Sequence, residues 1–220
     1  MGPKIAEGRD SEIFEHGPGR VLRRARDGRS LVAEADVMRH VRDHGYPAPL
    51  VFDAGDGWLV MERLNGTDML AGIRKTPRGL TAAGKLLADL HRRLGAIRAP
   101  EWMPVAPGPV GDRIVHLDLH PLNVMNTPDG PRVIDWANAR RGDPATDVAN
   151  TWSLLACGEV PGGRVDRALA SIGRGLLLRT FLASLDRDAA LGAMPALVEW
   201  RLGDRNHTDA ERERLRRLVR

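Results

Sequence analysis

Three polar residues in the middle of the chain, Asp118, Asn123 and Asp135, have the types and spacing of a combined acid–base and metal site. Asp118 and Asn123 share a loop rich in histidine and proline, and Asp135 ends the strand-like segment RVID. Phosphoryl transfer needs a carboxylate that accepts a hydroxyl proton and hard oxygen ligands for magnesium. An aspartate alone is more often a surface or capping residue, but an Asp-x4-Asn loop followed by a strand-end aspartate can supply both groups.

The N-terminal elements that must position these residues are predicted to be short strands and one helix. Three strands are expected within residues 5–25, and a helix is expected from about Ser30, which is a credible N-cap. Gly45 suits the left-handed end of that helix, and the prolines that follow prevent its continuation. Two further strands are predicted around the Ala-Gly-Asp-Gly turn at residues 54–57.

The C-terminal part is predicted to be mainly helical from Leu64 onward. A helix with leucines along one side is expected over residues 80–97, with Thr81 near its start. The segments NVM and RVID flank a TPDGP turn and indicate a small hairpin, after which Asp143 is expected to cap a helix that begins at Pro144. The order of elements predicts an α+β fold with a small β-rich lobe (residues 1–63) and a helical lobe (residues 64–220).

Amino-acid composition limits the classes of partner that the protein can bind, but it says little about the reaction. The formal net charge is +4, but arginines are spread along the chain among acidic residues, so a solvated surface is favoured over nucleic-acid binding. No apolar run approaches the roughly 20 residues that span a bilayer, and no secretory signal is apparent, so neither membrane insertion nor secretion is expected. The single cysteine, Cys157, fits a reducing compartment, and we expect a cytoplasmic protein. Nothing indicates an oligomeric state.

The segments HLDLHPLNVM (116–125) and VIDWANARRGDPATDVA (133–149) resemble the catalytic and metal-binding motifs of the aminoglycoside phosphotransferase (APH) family. VMERLNG (60–66) is similar to the segment that joins the two lobes in that family, and LADLHRRL (87–94) is similar to the helix before its catalytic loop. The resemblance covers most of residues 5–155 and implies a bilobal protein-kinase-like fold. It also implies a small-molecule kinase that uses ATP and Mg2+ to phosphorylate a hydroxyl group of its acceptor.

The resemblance further implies a role for individual residues of this chain. Asp118 would be the catalytic base or would orient the acceptor hydroxyl, and Asn123 and Asp135 would bind magnesium. His116 and Asp147 would brace the loop that carries Asp118. Backbone groups of Glu62 and Leu64 would contact adenine, and Ser11 would approach the phosphates.

The chain departs from the family pattern at several positions. Arg23 stands where the family has a strand lysine that holds phosphates, and Glu34 is its expected partner. Arginine keeps the charge but is longer and planar, and strand alternation allows only one of Arg23 and Arg24 to face the site. Leu117 and Leu122 replace glycines, which narrows the conformations open to the loop. The chain is also short after residue 150, where the family usually builds its acceptor pocket.

These departures leave two functions open. Asp118, Asn123 and Asp135 favour an active kinase of an amino sugar, macrolide, amino alcohol or similar metabolite, whereas Arg23 and the short C-terminal part favour a nucleotide-binding pseudokinase without turnover. A protein kinase is disfavoured because no peptide-docking segment is evident. His116 and His120 could suggest zinc, but loop scaffolding is favoured because Pro121 prevents the helix that would align them. The scattered acidic residues of the C-terminal region favour an acceptor other than a polycationic aminoglycoside.

Overall fold

The structure is a computed structural model that describes residues 2–8, 10–73, 76–157, 164–203 and 208–219, with the backbone alone at 164–171. These residues form ten strands, seven α-helices and one 3-10 turn at Pro121–Asn123. The strands are β1 (Lys4–Glu7), β2 (Ser11–Glu15), β3 (Arg20–Ala25), β4 (Val51–Gly55), β5 (Trp58–Glu62), β6 (Thr67–Asp68), β7 (Arg113–Val115), β8 (Val124–Thr127), β9 (Gly130–Val133) and β10 (Arg140–Gly142). The helices are α1 (Val32–Asp43), α2 (Met69–Gly72), α3 (Pro77–Gly95), α4 (Pro144–Cys157), α5 (Arg164–Leu182), α6 (Arg187–Leu202) and α7 (Asp209–Arg217).

The chain forms two compact units that interleave along the sequence. The first unit contains Met1–Asp68 and Val124–Ala137, and the second contains Met69–Asn123 and Asn138–Arg220. The first unit therefore holds α1 and all strands except β7 and β10, which pair with each other in the second unit. This content confirms the α+β class. The predicted division of the chain at residues 63 and 64 stays a prediction.

The main sheet of the first unit is antiparallel throughout, in the order β1-β2-β3-β5-β4. Along β3 the side chains of Val21, Arg23 and Ala25 are buried, whereas Arg20 and Arg24 are exposed. This is the period of two that a pleated strand imposes. It brings Arg23 to the inner face, as alternation and the family resemblance predicted. A second sheet, β6-β8-β9, contains the predicted hairpin, which delivers Asp135 just beyond β9.

The predicted N-cap of one helix and the predicted start of another are wrong. Leu31, not Ser30, occupies the N-cap of α1 and makes no side-chain capping bond. The helix α3 begins at Pro77, where Thr76 accepts a hydrogen bond from the backbone N–H of Gly79 at 3.1 Å, so Thr81 lies inside the helix. The Thr76–Pro77 start is more favourable because proline has no N–H to leave unpaired in the first turn. The expected cap of α4 is confirmed, since Asp143 accepts from the N–H of Ala145 at 2.8 Å.

The second unit is built around α3, α4, α5 and α6. Gly84 of α3 lies against α5, where a Cβ atom would come within 2.8 Å of the carbonyl oxygen of Leu177. The apolar side of α6 is formed by the buried residues Met194, Leu197 and Val198. No helix in the described ranges has the length and apolar character needed to cross a membrane.

Candidate active site

The side chains of Asp118 and Asn123 are in direct contact within the second unit. The Asn123 side-chain amide donates to both the backbone oxygen and Oδ2 of Asp118, at 2.9 Å in each case. His120 Nδ1 accepts from the N–H of Leu122 at 3.3 Å, so neutral His120 carries its proton on Nε2, which lies 3.4 Å from Asp118 Oδ1. The Asp118 carboxylate is thus held from two sides while its side chain stays 27% exposed.

The pKa of Asp118 lies below the ordinary value for an aspartate. Burial, the largest single influence, acts to raise this pKa, because a carboxylate loses hydration there. The hydrogen bond and the electrostatic interaction with His120, with smaller contributions from His116 and Asn123, together outweigh the effect of burial on this pKa. Asp118 is therefore ionised at neutral pH. It can orient a hydroxyl group by accepting its hydrogen bond.

The 116–123 loop, which carries Asp118, is held by side chains from one face of α4. Asp147 accepts the N–H of His116 at 3.0 Å and the N–H of Leu117 at 2.8 Å. Asn150 donates to the carbonyl of Leu117 at 2.6 Å, and Thr151 donates to the carbonyl of Leu119 at 2.7 Å. The three helical residues occupy positions i, i+3 and i+4, which share a helix face. The contacts agree with the anchoring role that the resemblance implied for Asp147.

Leu117 adopts the backbone conformation for which the family pattern has glycine. Its φ is +57°, in the left-handed region, although its side chain is buried with Ala106 and Val115. Leucine costs roughly 1–2 kcal/mol there because its Cβ approaches the next carbonyl oxygen. Leu122, the other glycine replacement, lies in the 3-10 turn without a positive φ, so its backbone needs no glycine.

Ser11, Arg23, Glu34 and Asp135 come together in the first unit. Arg23 donates from Nε to Ser11 Oγ at 3.2 Å, from Nη1 to Glu34 Oε1, and from Nη2 to Asp135 Oδ1 at 3.4 Å. Arg23 and Glu34 are both buried. The ion pair expected between them is therefore present, and the guanidinium group also reaches two partners that one ammonium group could hardly hold at once.

Glu34 also fixes the backbone beside Asp135. Its Oε1 accepts the N–H of Trp136 at 3.2 Å, and the buried Trp136 ring packs edge-on to Tyr46 with centroids 5.7 Å apart. Asp135 has a φ of +65°, which aspartate tolerates better than most residues. The side chain of Asp135 remains 47% exposed. One buried carboxylate thus orders both the basic residue of β3 and the segment that carries Asp135.

The two positions proposed to contact adenine lie at and beyond the end of β5. The backbone N–H of Glu62 donates to the carbonyl of Leu50 at 2.8 Å, so that donor is already used. Leu64 lies outside any strand, and within the described ranges it takes part in none of the backbone hydrogen bonds formed by turns and loops. Leu64 is therefore the better placed of the two for a backbone contact.

Sequence reasoning missed the buried polar residues of α4, and Arg201 of α6, that support the 116–123 loop. Asn150, Thr151 and Ser153 are fully buried polar residues of α4, and Arg201 of α6 donates to Asn150 Oδ1 at 2.9 Å. The available signal was the run of polar residues in DVANTWS, which is unusual on a buried helix face. The contribution of Arg201 had no local signal because its partner lies 51 residues away.

The comparisons with known proteins agree with this arrangement. The model of the phosphotransferase enzyme family (APH) matches residues 3–110 and 106–191. A search of curated proteins found no match. A thermostable mutant of aminoglycoside phosphotransferase APH(4)-Ia, in ternary complex with AMP-PNP and hygromycin B, matches with a TM-score of 0.68 and 18% identity, over 99% of this chain and 92% of that one.

Two other solved structures have the same fold at a similarly low sequence identity. The streptomycin–ATP–APH(2")-IIa ternary complex gives a TM-score of 0.57 at 15% identity, over 90% of this chain and 82% of that one. An aminoglycoside-3'-phosphotransferase of type VIII gives 0.56 at 18% identity, over 99% and 91%. These likenesses confirm the protein-kinase-like fold, and the family match covers well over half of the sequence. The chain belongs to the phosphotransferase enzyme family (APH), whose members are small-molecule kinases.

Proposed function

We propose that this protein transfers the γ-phosphate of ATP, with Mg2+, to a hydroxyl group of a small molecule. The observation that carries the proposal is Asp118, an ionised and partly exposed carboxylate held by Asn123 and His120 on a rigidly bonded loop. Structures in the same fold class contain AMP-PNP with hygromycin B and ATP with streptomycin, which supports a nucleotide and a hydroxylated acceptor here.

The residues available for magnesium fit that ion. The Asn123 amide nitrogen is used by Asp118, and the amide oxygen makes no hydrogen bond within the described residues, so it is free to act as a hard ligand. Asp135 offers an exposed carboxylate. Magnesium commonly takes only one or two protein carboxylates and completes its shell with phosphate and water oxygens. Once bound by Asn123 and Asp135, it would neutralise charge on the phosphate oxygens.

Three further residues would act on the nucleotide. Arg23 supplies the positive charge for the phosphates, and Glu34 holds its guanidinium group in place. Ser11 Oγ lies 3.2 Å from Arg23 Nε, so a hydroxyl donor stands beside that charge. Backbone groups of Leu64 and the carbonyl of Glu62 are the proposed adenine contacts.

Asp118 would orient the acceptor hydroxyl and take its proton. The oxygen–phosphorus bond to the acceptor forms as the bond between the γ-phosphorus and the leaving ADP oxygen breaks, and the proton moves to the carboxylate. A carboxylate with a lowered pKa is a weak base. The proton therefore transfers late, and orientation is the larger part of its contribution.

The charges near the 116–123 loop favour an acceptor that is not a polycation. Arg140 pairs with Val115, just before this loop, and its guanidinium carbon lies 5.9 Å from the Trp200 ring centroid. Arg140 Nε is buried without a hydrogen-bond partner, and the residue forms no ion pair within the described parts of the chain. A cation without an ion-pair partner among the described residues repels a polycationic aminoglycoside, attracts an acidic acceptor and does not repel a neutral one. Of the other residues considered for this pocket, Asp204 lies outside the described residues.

The decisive experiment is magnesium-dependent ATP consumption by the purified protein with a panel of acceptors. The panel contains kanamycin-like polycations, neutral macrolides, amino alcohols and hydroxylated acids, and Asp118→Asn is the control. We expect turnover with a neutral or acidic acceptor and its loss in Asp118→Asn. Equal inertness of both proteins, with ATP binding retained, would establish the pseudokinase alternative. Efficient turnover of kanamycin-like compounds would contradict the assigned acceptor class. The cytoplasmic location remains a prediction.

A further inference from the structure

The peptide group between Leu117 and Asp118 is expected to rotate out of its observed orientation unless other residues hold it. Leu117 is held in the left-handed region, which is unfavourable for leucine by roughly a five- to thirtyfold change in population. Rotation of this peptide would relieve the conformation. It would also turn the Leu117 carbonyl away and move the backbone N–H of Asp118, which now donates to His116 Nδ1 at 3.2 Å.

Asn150 blocks this rotation because its side-chain N–H bonds to the Leu117 carbonyl at 2.6 Å. The bond requires one orientation of the Asn150 amide. In the reversed orientation, Oδ1 would face the Leu117 carbonyl, and two acceptors would oppose each other without a proton between them. Asn150 is fully buried, so water cannot relieve that opposition.

Arg201 selects the productive orientation of the Asn150 amide. Its Nη1 donates to Asn150 Oδ1 at 2.9 Å and to Ser153 Oγ at 3.3 Å. Ser153 Oγ in turn donates to the backbone carbonyl of Asn150 at 2.8 Å. A guanidinium group can only donate hydrogen bonds, so it stabilises the orientation in which the Asn150 amide oxygen faces α6 and the amide nitrogen faces Leu117.

We propose that Arg201 is a positioning residue for Asp118, acting through the Asn150 amide and the Leu117 carbonyl. The proposal rests on the proposed function of Asp118. Packing between α4 and α6 does not require a charge at this position, because the buried residues Met194, Leu197 and Val198 already provide the apolar contact surface of α6. The arginine instead places a fixed donor beneath the loop that carries the reacting carboxylate.

The test compares Arg201→Met with Arg187→Met in the full chain. Methionine keeps the unbranched apolar stem of the side chain and removes its donors. Arg187 is a matched control because it lies on the same helix and also faces α4, where its guanidinium carbon lies 5.4 Å from the Trp152 ring centroid. The readouts are amide hydrogen exchange at Asp118 and His120, and the kcat and KM of magnesium-dependent ATP hydrolysis.

We expect Arg201→Met to speed exchange at these amides by about tenfold or more and to lower kcat by a similar factor, the change expected when a charged hydrogen bond is lost. The KM for magnesium-ATP should stay within twofold, and Arg187→Met should match the wild type in both readouts. The effect of Arg201→Met should also be smaller in a Leu117→Gly background, where the left-handed conformation needs no support.

Unchanged exchange at both amides, or an equal effect of Arg201→Met in the two backgrounds, would overturn the proposal. Because exchange is measured without turnover, the result is independent of activity. A wild-type protein that consumes no ATP would refute the proposed function, whereas unchanged exchange would refute the action of Arg201 on the loop.

Discussion

The left-handed backbone of Leu117 predicts a change in unfolding free energy whose size can be derived by comparing substitutions at two sites. Leu117 and Leu119 are both buried in the same loop, but only Leu117 has a positive φ. Replacing either leucine with alanine removes buried side-chain volume, which typically destabilises a protein by 2–5 kcal/mol, on the order of the whole margin for a weak domain. Replacement by glycine removes one more carbon atom and, at Leu117 alone, also releases the left-handed penalty.

The difference between glycine and alanine isolates that penalty. In ordinary backbone, glycine is less stable than alanine by roughly 0.5–1 kcal/mol, because it loses more conformational freedom on folding. At Leu117 the relief of roughly 1–2 kcal/mol opposes this, so Leu117→Gly should equal or exceed Leu117→Ala in stability. At Leu119, glycine should be the worse of the two. The glycine-minus-alanine difference should therefore differ between the sites by roughly 1–2 kcal/mol, because the unfolded-state contribution cancels.

Urea unfolding followed by tryptophan fluorescence measures all four variants, and the unfolding midpoint at constant slope gives each change in free energy. The double difference tolerates errors common to the four proteins. If the glycine-minus-alanine difference is the same at both positions, Leu117 is not under backbone strain, and the structural reason for its support by Asp147 and Asn150 fails.

Three further perturbations follow from contacts described above. Gly84→Ala should destabilise the protein by about 1–3 kcal/mol, because the new methyl group would contact α5. Gly192 lies on the exposed face of α6, where a Cβ atom would meet no atom within 4 Å, so Gly192→Ala should stabilise the protein by up to about 1 kcal/mol. Thermal unfolding distinguishes the two signs. His120→Ala should raise the pKa of Asp118, because the effect of burial on that pKa is then less opposed. The stability that the ionised carboxylate contributes should then be lost at a higher pH on acidification. Carbon-13 NMR titration of the Asp118 carboxyl group measures this pKa, and a pKa no higher than in the wild type would contradict the prediction. Arg23→Ala should destabilise by about 3–5 kcal/mol by leaving a buried carboxylate unpaired, and Arg23→Lys by much less; equal losses in urea unfolding would contradict the ion-pair interpretation.

The sequence allowed the order of elements to be predicted because local patterns determined them. Alternation along β3 allowed only one of Arg23 and Arg24 to face inward, and the family resemblance selected Arg23, while Asp143 with Pro144 marked the start of α4. The starts of α1 and α3 were predicted less well: Ser30 has a favourable type for an N-cap, but Leu31 occupies that position, and α3 begins at the Thr76–Pro77 pair rather than near Thr81.

The supporting contacts of the candidate site could not be predicted to the same extent. The positive φ of Leu117 has no signature in the residue type, since leucine is unfavourable there, and only the family resemblance marked the position. Arg201 and Asn150 meet because two helices pack side by side, and such pairing depends on the whole fold rather than on spacing along the chain. Residue chemistry thus indicated the candidate reacting groups, whereas the tertiary structure was needed to identify the side chains that hold them.

The interleaving of the first unit affects how the protein emerges from the ribosome. Arg23 and Glu34 are synthesised about 100 residues before Asp135 and Trp136, with separations of 112 and 102 positions for the two bonded pairs. The sheet β6-β8-β9 likewise needs strands from both segments. A nascent chain can form the five-stranded sheet early, but Arg23 and Glu34 must wait for residues 135 and 136, and for the closure of a long loop, before their remaining hydrogen bonds can form. During that interval Glu34 can pair only with Arg23 among its described hydrogen-bond partners, so their ion pair is the contact that can form before Asp135 and Trp136 are synthesised.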